Sequence, residues 1–142
     1  MALLWGRVSM SFDDAVVSHS EWKKKLSAYV SNPDQSLLIE EIAANNRCKL
    51  GRWIRGEGRR YSDFPEFPKL IAEHNRFHLA AADIVRRADL GQDVSAEFAL
   101  GVGSEFSLAS SAVVLAIMDM KKRYNRRKHQ QQEPEHVVSW QK

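Results

Sequence analysis

Four side chains in this sequence could hold a metal ion between them. Cys48 is the only cysteine in 142 residues, and it sits in RCKLGRW, residues 47–53. Of five histidines, His129 and His136 lie in a polar C-terminal stretch, while His19, His74 and His78 fall on apolar stripes. His74 and His78 are spaced i and i+4, which on a helix brings both rings to one face, one turn apart. Burying three imidazoles without partners is costly. A cation would give each of them a lone-pair partner. Three neutral imidazoles and a thiolate form a tetrahedral set suited to Zn²⁺. Four protein ligands leave no position for a catalytic water, so the site reads as structural or sensory rather than hydrolytic.

Other chemistries lack their residues. A di-iron bundle needs bridging carboxylates with paired Glu-x-x-His sets; Glu66 and Glu73 stand near the histidines, but there is no second set. No glycine-rich phosphate loop, nucleophile–base pair or dinucleotide fingerprint is present. We therefore expect no enzyme. The remaining catalytic reading would need Cys48 to leave the metal and open a coordination position.

These ligands require helices to carry them. Phe12, Ala15, His19, Trp22, Leu26 and Tyr29 recur at spacings of three and four, predicting a first helix over 12–30. Asn32, Pro33 and Gln35 have the pattern of an N-cap, first position and capping-box partner for a short second helix ending near Asn45–Asn46. Gly51, Gly56 and Gly58 punctuate residues 47–63, predicting an irregular connection held to the core by Leu50, Trp53 and Ile54. Its irregularity would let Cys48 turn back toward the interior. Pro65 and Pro68 suit the opening of a third helix, which carries His74 and His78 and stops at Gly91. Asp93 or Ser95 would cap a fourth, with an inner stripe from Phe98 and Val102 through Phe106 and Val113 to Tyr124. The expected fold is all-α: an antiparallel four-helix bundle over residues 10–124 with a short irregular Cys-bearing connection. Residues 125–142 are expected to be a polar, mobile tail.

Composition agrees with one such domain. Hydrophobic residues make up 44% and charged residues 27% of the chain, ordinary values for a globular protein. A lone thiol excludes an intrachain disulfide and suits a reducing compartment. Neither a signal-peptide pattern at MALLWGRVSMSF nor an apolar run of bilayer length is present, so a cytoplasmic location is expected. The net charge of +3 is concentrated in Lys121, Lys122, Arg123, Arg126, Arg127 and Lys128. Cations near a helix C-terminus complement its dipole, and no nucleic-acid partner or membrane insertion is expected.

HSEW (19–22), RCKLGRW (47–53) and HNRFH (74–78), in this order, resemble the CZB family, the chemoreceptor zinc-binding domain. That family's signature is a His-x-x-Trp on the first helix, a Cys-x-[Leu/Phe]-Gly-x-Trp and a His-x3-His on the third. Each motif alone is weak; the three together are specific. The resemblance places the zinc ligands at His19, Cys48, His74 and His78. It implies a cytoplasmic sensor of zinc or oxidant, often dimeric, of the kind attached to bacterial chemoreceptors and diguanylate cyclases. This chain shows no coiled-coil signalling hairpin and no cyclase domain, so its output is expected to pass to a signalling partner in trans. The alternative is a zinc-stabilised dimerisation or scaffold module with no sensing role. Small residues at Gly101, Gly103, Ser104 and Ala112 would admit a second copy.

Overall fold

The computed structural model describes residues 11–95 and 103–140, with side chains as far as residue 130. Helices account for most of it: α1 (Phe12–Ser31), α2 (Ile39–Ala43), α3 (Lys49–Arg55), a 3₁₀ turn (Glu57–Tyr61), α4 (Glu66–Asp89) and α5 (Glu105–Trp140). No strand occurs among the described residues, and no helix there is long and apolar enough to cross a membrane. The all-α bundle is as expected.

Local chemistry sets where each helix starts and stops. Ser11 caps α1: its hydroxyl accepts from the Asp14 N–H at 3.0 Å while Asp14 accepts from the Ser11 N–H at 3.1 Å. This reciprocal box satisfies two backbone donors that the helix cannot. The box expected at Asn32–Gln35 does not form. Asp34 instead captures the Ser36 N–H at 3.0 Å, Gln35 takes a left-handed φ of 64°, and α2 is delayed to Ile39. A short acidic side chain that bonds its own backbone two residues on competes with helix initiation there.

The connection expected to be irregular is mostly helix. Leu50, Trp53 and Ile54 form the buried stripe of α3, a helical spacing that its glycines obscured. Cys48 is the N-cap of that helix, its sulfur standing where a serine hydroxyl usually does. Helix α4 ends as expected at Gly91, whose φ is 85°. The Gly91 N–H donates to Ala88 O and the Gln92 N–H to Arg87 O, closing the exposed carbonyls of the last turn.

Asp93 accepts from the Ser95 N–H at 3.0 Å and from the Ser95 hydroxyl at 2.7 Å, and the residues that either would cap, 96–102, lie outside the described ones. Helix α5 starts at Glu105, after Gly103 at φ 89° and with Ser104 accepting from the Ser107 N–H at 3.0 Å. Phe98, Gly101 and Val102, assigned to the fourth helix from sequence, lie outside the described residues. At its other end α5 continues through the expected tail to Trp140. Arg, Lys, Gln and Glu propagate an existing helix at little cost, with no new nucleus to form.

Ion pairs and ring contacts give the direction of every element. Lys121 meets Asp13 at 2.9 Å and Ser110 meets His19, so α5 runs antiparallel to α1. Arg123 meets Glu66 and Arg76 meets Glu105, so α5 is antiparallel to α4 as well. Trp22 packs on His78, and the Tyr29 hydroxyl donates to Asp89 at 2.8 Å; α1 and α4 are parallel. Between them α2 and α3 descend together, from Ile42 beside His78 to Trp53 beside Phe12. Two short helices thus serve as the second leg of an up-down-up-down bundle. Phe12, Trp53, Tyr61, Phe64 and Tyr124 close its lower end with ring centroids 5.1–5.9 Å apart. The basic cluster works inside this frame: Lys121, Arg123 and Arg127 pair with Asp13, Glu66 and Asp63, clamping α5 to the rest.

Candidate metal centre

The descent of α2 and α3 brings Cys48 against the middle of α4. Cys48 Sγ lies 3.3 Å from His74 Nε2 and 3.4 Å from His78 Nε2, and the two Nε2 atoms are 3.0 Å apart. Both rings are buried and the sulfur half-buried. Helix α4 supplies the rings by its own periodicity, while Cys48 depends on how closely α3 can approach.

Gly51 permits that approach. A Cβ at this position would lie 1.8 Å from Asn45 O and 2.9 Å from Asn45 C. Only glycine lets the start of α3 rest against this backbone. The Gly51 N–H also donates to Cys48 Sγ at 3.2 Å, aiming the sulfur. Nearby, the side chains of Asn45 and Asn75 are hydrogen-bonded, tying the turn before Cys48 to α4.

The tautomer of His78 is fixed by its other nitrogen. Nδ1 lies 2.7 Å from Ile42 O, and only an N–H can bond a carbonyl, so Nδ1 carries the proton and Nε2 presents a bare lone pair to the cluster. A ligating histidine typically donates its second ring N–H in this way. At most two hydrogens, on the thiol and on His74 Nε2, are then available to bridge the three edges of the triangle. A cation offers a partner to all three atoms at once. Zinc bonds of about 2.0–2.1 Å to nitrogen and about 2.3 Å to sulfur separate tetrahedral ligand atoms by roughly 3.3–3.6 Å. The observed triangle is slightly tighter than that, and the donor set fits zinc.

Burial favours the neutral forms of these three side chains. Burial pushes His74 down to about 3, with further lowering from His78, His19 and Arg55. Burial likewise lowers His78, partly opposed by its bond to Ile42. Neutral imidazole is the ligating form. The Cys48 thiol is pushed up by burial, which outweighs the lowering by the Gly51 N–H and Arg52. Flanking positive charge does little here: Arg52 is the smallest of the lowering influences, and Arg47 faces Glu41 at 3.9 Å. A bound cation would favour the deprotonated sulfur.

His19 stands apart from this triangle. Its Nε2 is hydrogen-bonded to Ser110 Oγ on α5 at 3.0 Å, and its ring packs on Phe77 at 4.4 Å between centroids. Its pKa falls to about 4, first through burial and then through Lys23 and His78. Trp22, one turn on, packs edge-on to His78 at 5.5 Å. The structure thus brings together three of the four residues singled out from sequence. His129 lies on an exposed face of α5. Two contributors were missed. Ile42 acts through its carbonyl, which no side-chain pattern reports, and Ser110 belongs to none of the three motifs.

Two clefts reach the cluster. One, of about 210 Å³, opens between α1 and α2 and is lined by Trp22, Leu38, Glu41, Arg47, Cys48 and His78. The other, of about 410 Å³, reaches His74 past Gly51, Ile54, Arg55 and Asn75.

Residues 19–85 match the family model of the chemoreceptor zinc-binding domain, CZB. This is the family that the His-x-x-Trp, Cys-x-Leu-Gly-x-Trp and His-x3-His motifs resemble. The matched CZB stretch begins at His19 and ends within α4, and α5 with Ser110 lies beyond it. No curated protein and no solved structure matches the chain. The Cys48–His74–His78 cluster and the CZB match together fit a zinc-binding domain.

Proposed function

We propose that this chain is a regulatory, non-catalytic domain that holds one zinc ion through Cys48, His74 and His78, with His19 as the fourth ligand. It reports zinc occupancy or oxidant attack to a signalling partner, such as a chemoreceptor or a diguanylate cyclase, from the cytoplasm. The observation that carries the reading is the triangle of Sγ and two Nε2 atoms, with His78 already oriented by Ile42 O. Zinc would bind as a Lewis acid, holding the sulfur as a thiolate, the form that oxidants attack. The chain's own contribution is to aim the sulfur through the Gly51 N–H, to keep His74 and His78 neutral, and to leave a cleft through which small molecules reach Cys48.

One observation favours a second reading. Cys48 caps α3 and is hydrogen-bonded there, which restrains it more than an irregular connection would. A zinc site of that kind is a structural staple, suited to a dimerisation or scaffold module.

Metal analysis of protein purified without chelator or poly-His tag tests the site. One zinc per chain is expected, lost in His74→Ala/His78→Ala and retained in His129→Ala; full occupancy in the double variant would refute the ligand set. Hypochlorous acid then separates sensor from staple. In a sensor, one equivalent oxidises Cys48 before the exposed Met118 and releases zinc to a chromogenic chelator, and Cys48→Ser abolishes the response. Methionine oxidation with zinc still bound would leave the staple.

A further inference from the structure

We propose that Ser110 competes with the metal for His19, so that occupancy of the centre is coupled to the contact between α1 and α5. This rests on the zinc-site reading above and adds to it a residue outside the matched CZB stretch. The observations are the 3.0 Å bond between His19 Nε2 and Ser110 Oγ, the burial of both groups, and the clustering of the other three ligand atoms without His19.

Ser110 is 2% exposed and His19 4%. Neither can turn to water for a partner, so each satisfies the other, as buried polar groups must. Whichever atom donates, Nε2 is engaged. If the serine hydroxyl donates, it occupies the lone pair that a metal would take. If Nε2–H donates, that nitrogen carries a proton and has no lone pair to offer. His19 therefore joins a metal through Nε2 only by giving up Ser110.

The two partners of His19 lie on different elements. Ser110 belongs to α5, whereas Cys48, His74 and His78 belong to the α3 cap and α4. Transfer of the ring exchanges a tie between α1 and α5 for one between α1 and the metal. An element that satisfies the same buried group in two ways is what a two-state device requires. Ser110 biases it toward release of His19 and zinc biases it toward capture. Helix α5 continues to Trp140, well beyond the level of Ser110, and so carries the change away from the centre.

The test is zinc affinity, measured by competition with a chromogenic chelator, in wild type, Ser110→Ala, His19→Ala and the double variant. Ser110→Ala should bind zinc about three- to tenfold more tightly, since the metal no longer displaces one net hydrogen bond. His19→Ala should bind more weakly than wild type, and Ser110→Ala added to it should change nothing. Unchanged or weaker binding in Ser110→Ala would overturn the competition; weaker binding would instead make Ser110 a support for coordination through Nδ1. Failure of the wild type to bind zinc would overturn the metal reading itself. His19→Ala binding as tightly as wild type would remove His19 from the ligand set. Should Ser110→Ala not fold, long-range ¹H–¹⁵N correlation on wild-type protein decides the matter. Zinc must move His19 Nε2 to the metal-bound range, and Nε2 unaltered by zinc refutes the proposal.

Discussion

Replacing Gly51 by alanine sets two well-measured effects against each other. Gly51 lies inside α3, and in a helix interior alanine is favoured over glycine by roughly 0.5–1 kcal/mol. Propensity alone predicts a more stable protein. The added Cβ, however, would meet Asn45 O at 1.8 Å, Asn45 C at 2.9 Å and Asn46 Cα at 3.2 Å, all backbone atoms. No rotamer change relieves that; α3 must retreat by roughly 1.5 Å, and overpacking of this kind costs about 1–3 kcal/mol or more. The clash wins, with a net loss of about 1–2 kcal/mol and a melting temperature roughly 3–8 °C lower. Cys48 moves with the helix it caps, away from rings that now stand 3.3 and 3.4 Å from its sulfur. Zinc affinity should fall by about 100-fold, the upper end of what disturbing a ligand's support costs. Gly56→Ala, whose Cβ would meet only Arg52 O at 3.1 Å, should be milder on both counts. Thermal melts with and without zinc, and chelator competition, give the answer. A Gly51→Ala protein that melts at or above wild type and binds zinc equally would refute the packing argument, leaving propensity in control.

Acid should destabilise the chelator-stripped protein early. His19 and His74 have folded pKa values of about 4 and about 3 against an ordinary 6.5, so between those values the unfolded chain binds more protons. Their stabilising effect is complete above pH 6.5 and is lost as pH falls toward 4, by up to about 1.4 kcal/mol per pH unit for each histidine. Urea titrations giving the same stability at pH 6.5 and pH 4.5 would contradict this. Self-association has its own signature. Leu108, Leu115 and Met118 are exposed at helical spacing along α5, so a dimer through this face should dissociate in Leu108→Lys/Leu115→Lys. A monomer mass for wild type by light scattering at high concentration would exclude it.

Residues that act within one helix were legible from the sequence. His74 and His78 share a face because 3.6 residues make a turn, and the Gly91 stop needs only the local preference for a left-handed residue. Gly51 was misread as a breaker for a related reason: glycine signals a turn and a close approach equally well. Only the position of Asn45 distinguishes the two. The same ambiguity hid α3 and put Cys48 on an irregular connection, although Leu50, Trp53 and Ile54 already held a helical spacing. At Asn32–Gln35 the error ran the other way: the residue types of a capping box are present, yet Asp34 between them spends its carboxylate on a turn two residues long.

His19 shows where such reading stops. Its stripe predicts burial, and burial is observed, but the partner it finds depends on the register between α1 and α5, set 91 residues away in the chain. That register is held by Lys121 on Asp13, a pair that sequence spacing cannot reveal. Family motifs are equally silent on Ser110, because the match ends within α4. The proposed ligands thus lie within the matched stretch, while Ser110, the proposed restraint on His19, lies on a helix outside it. On the reading proposed here, the metal chemistry would belong to the α3 cap and α4, and the restraint on it to α5.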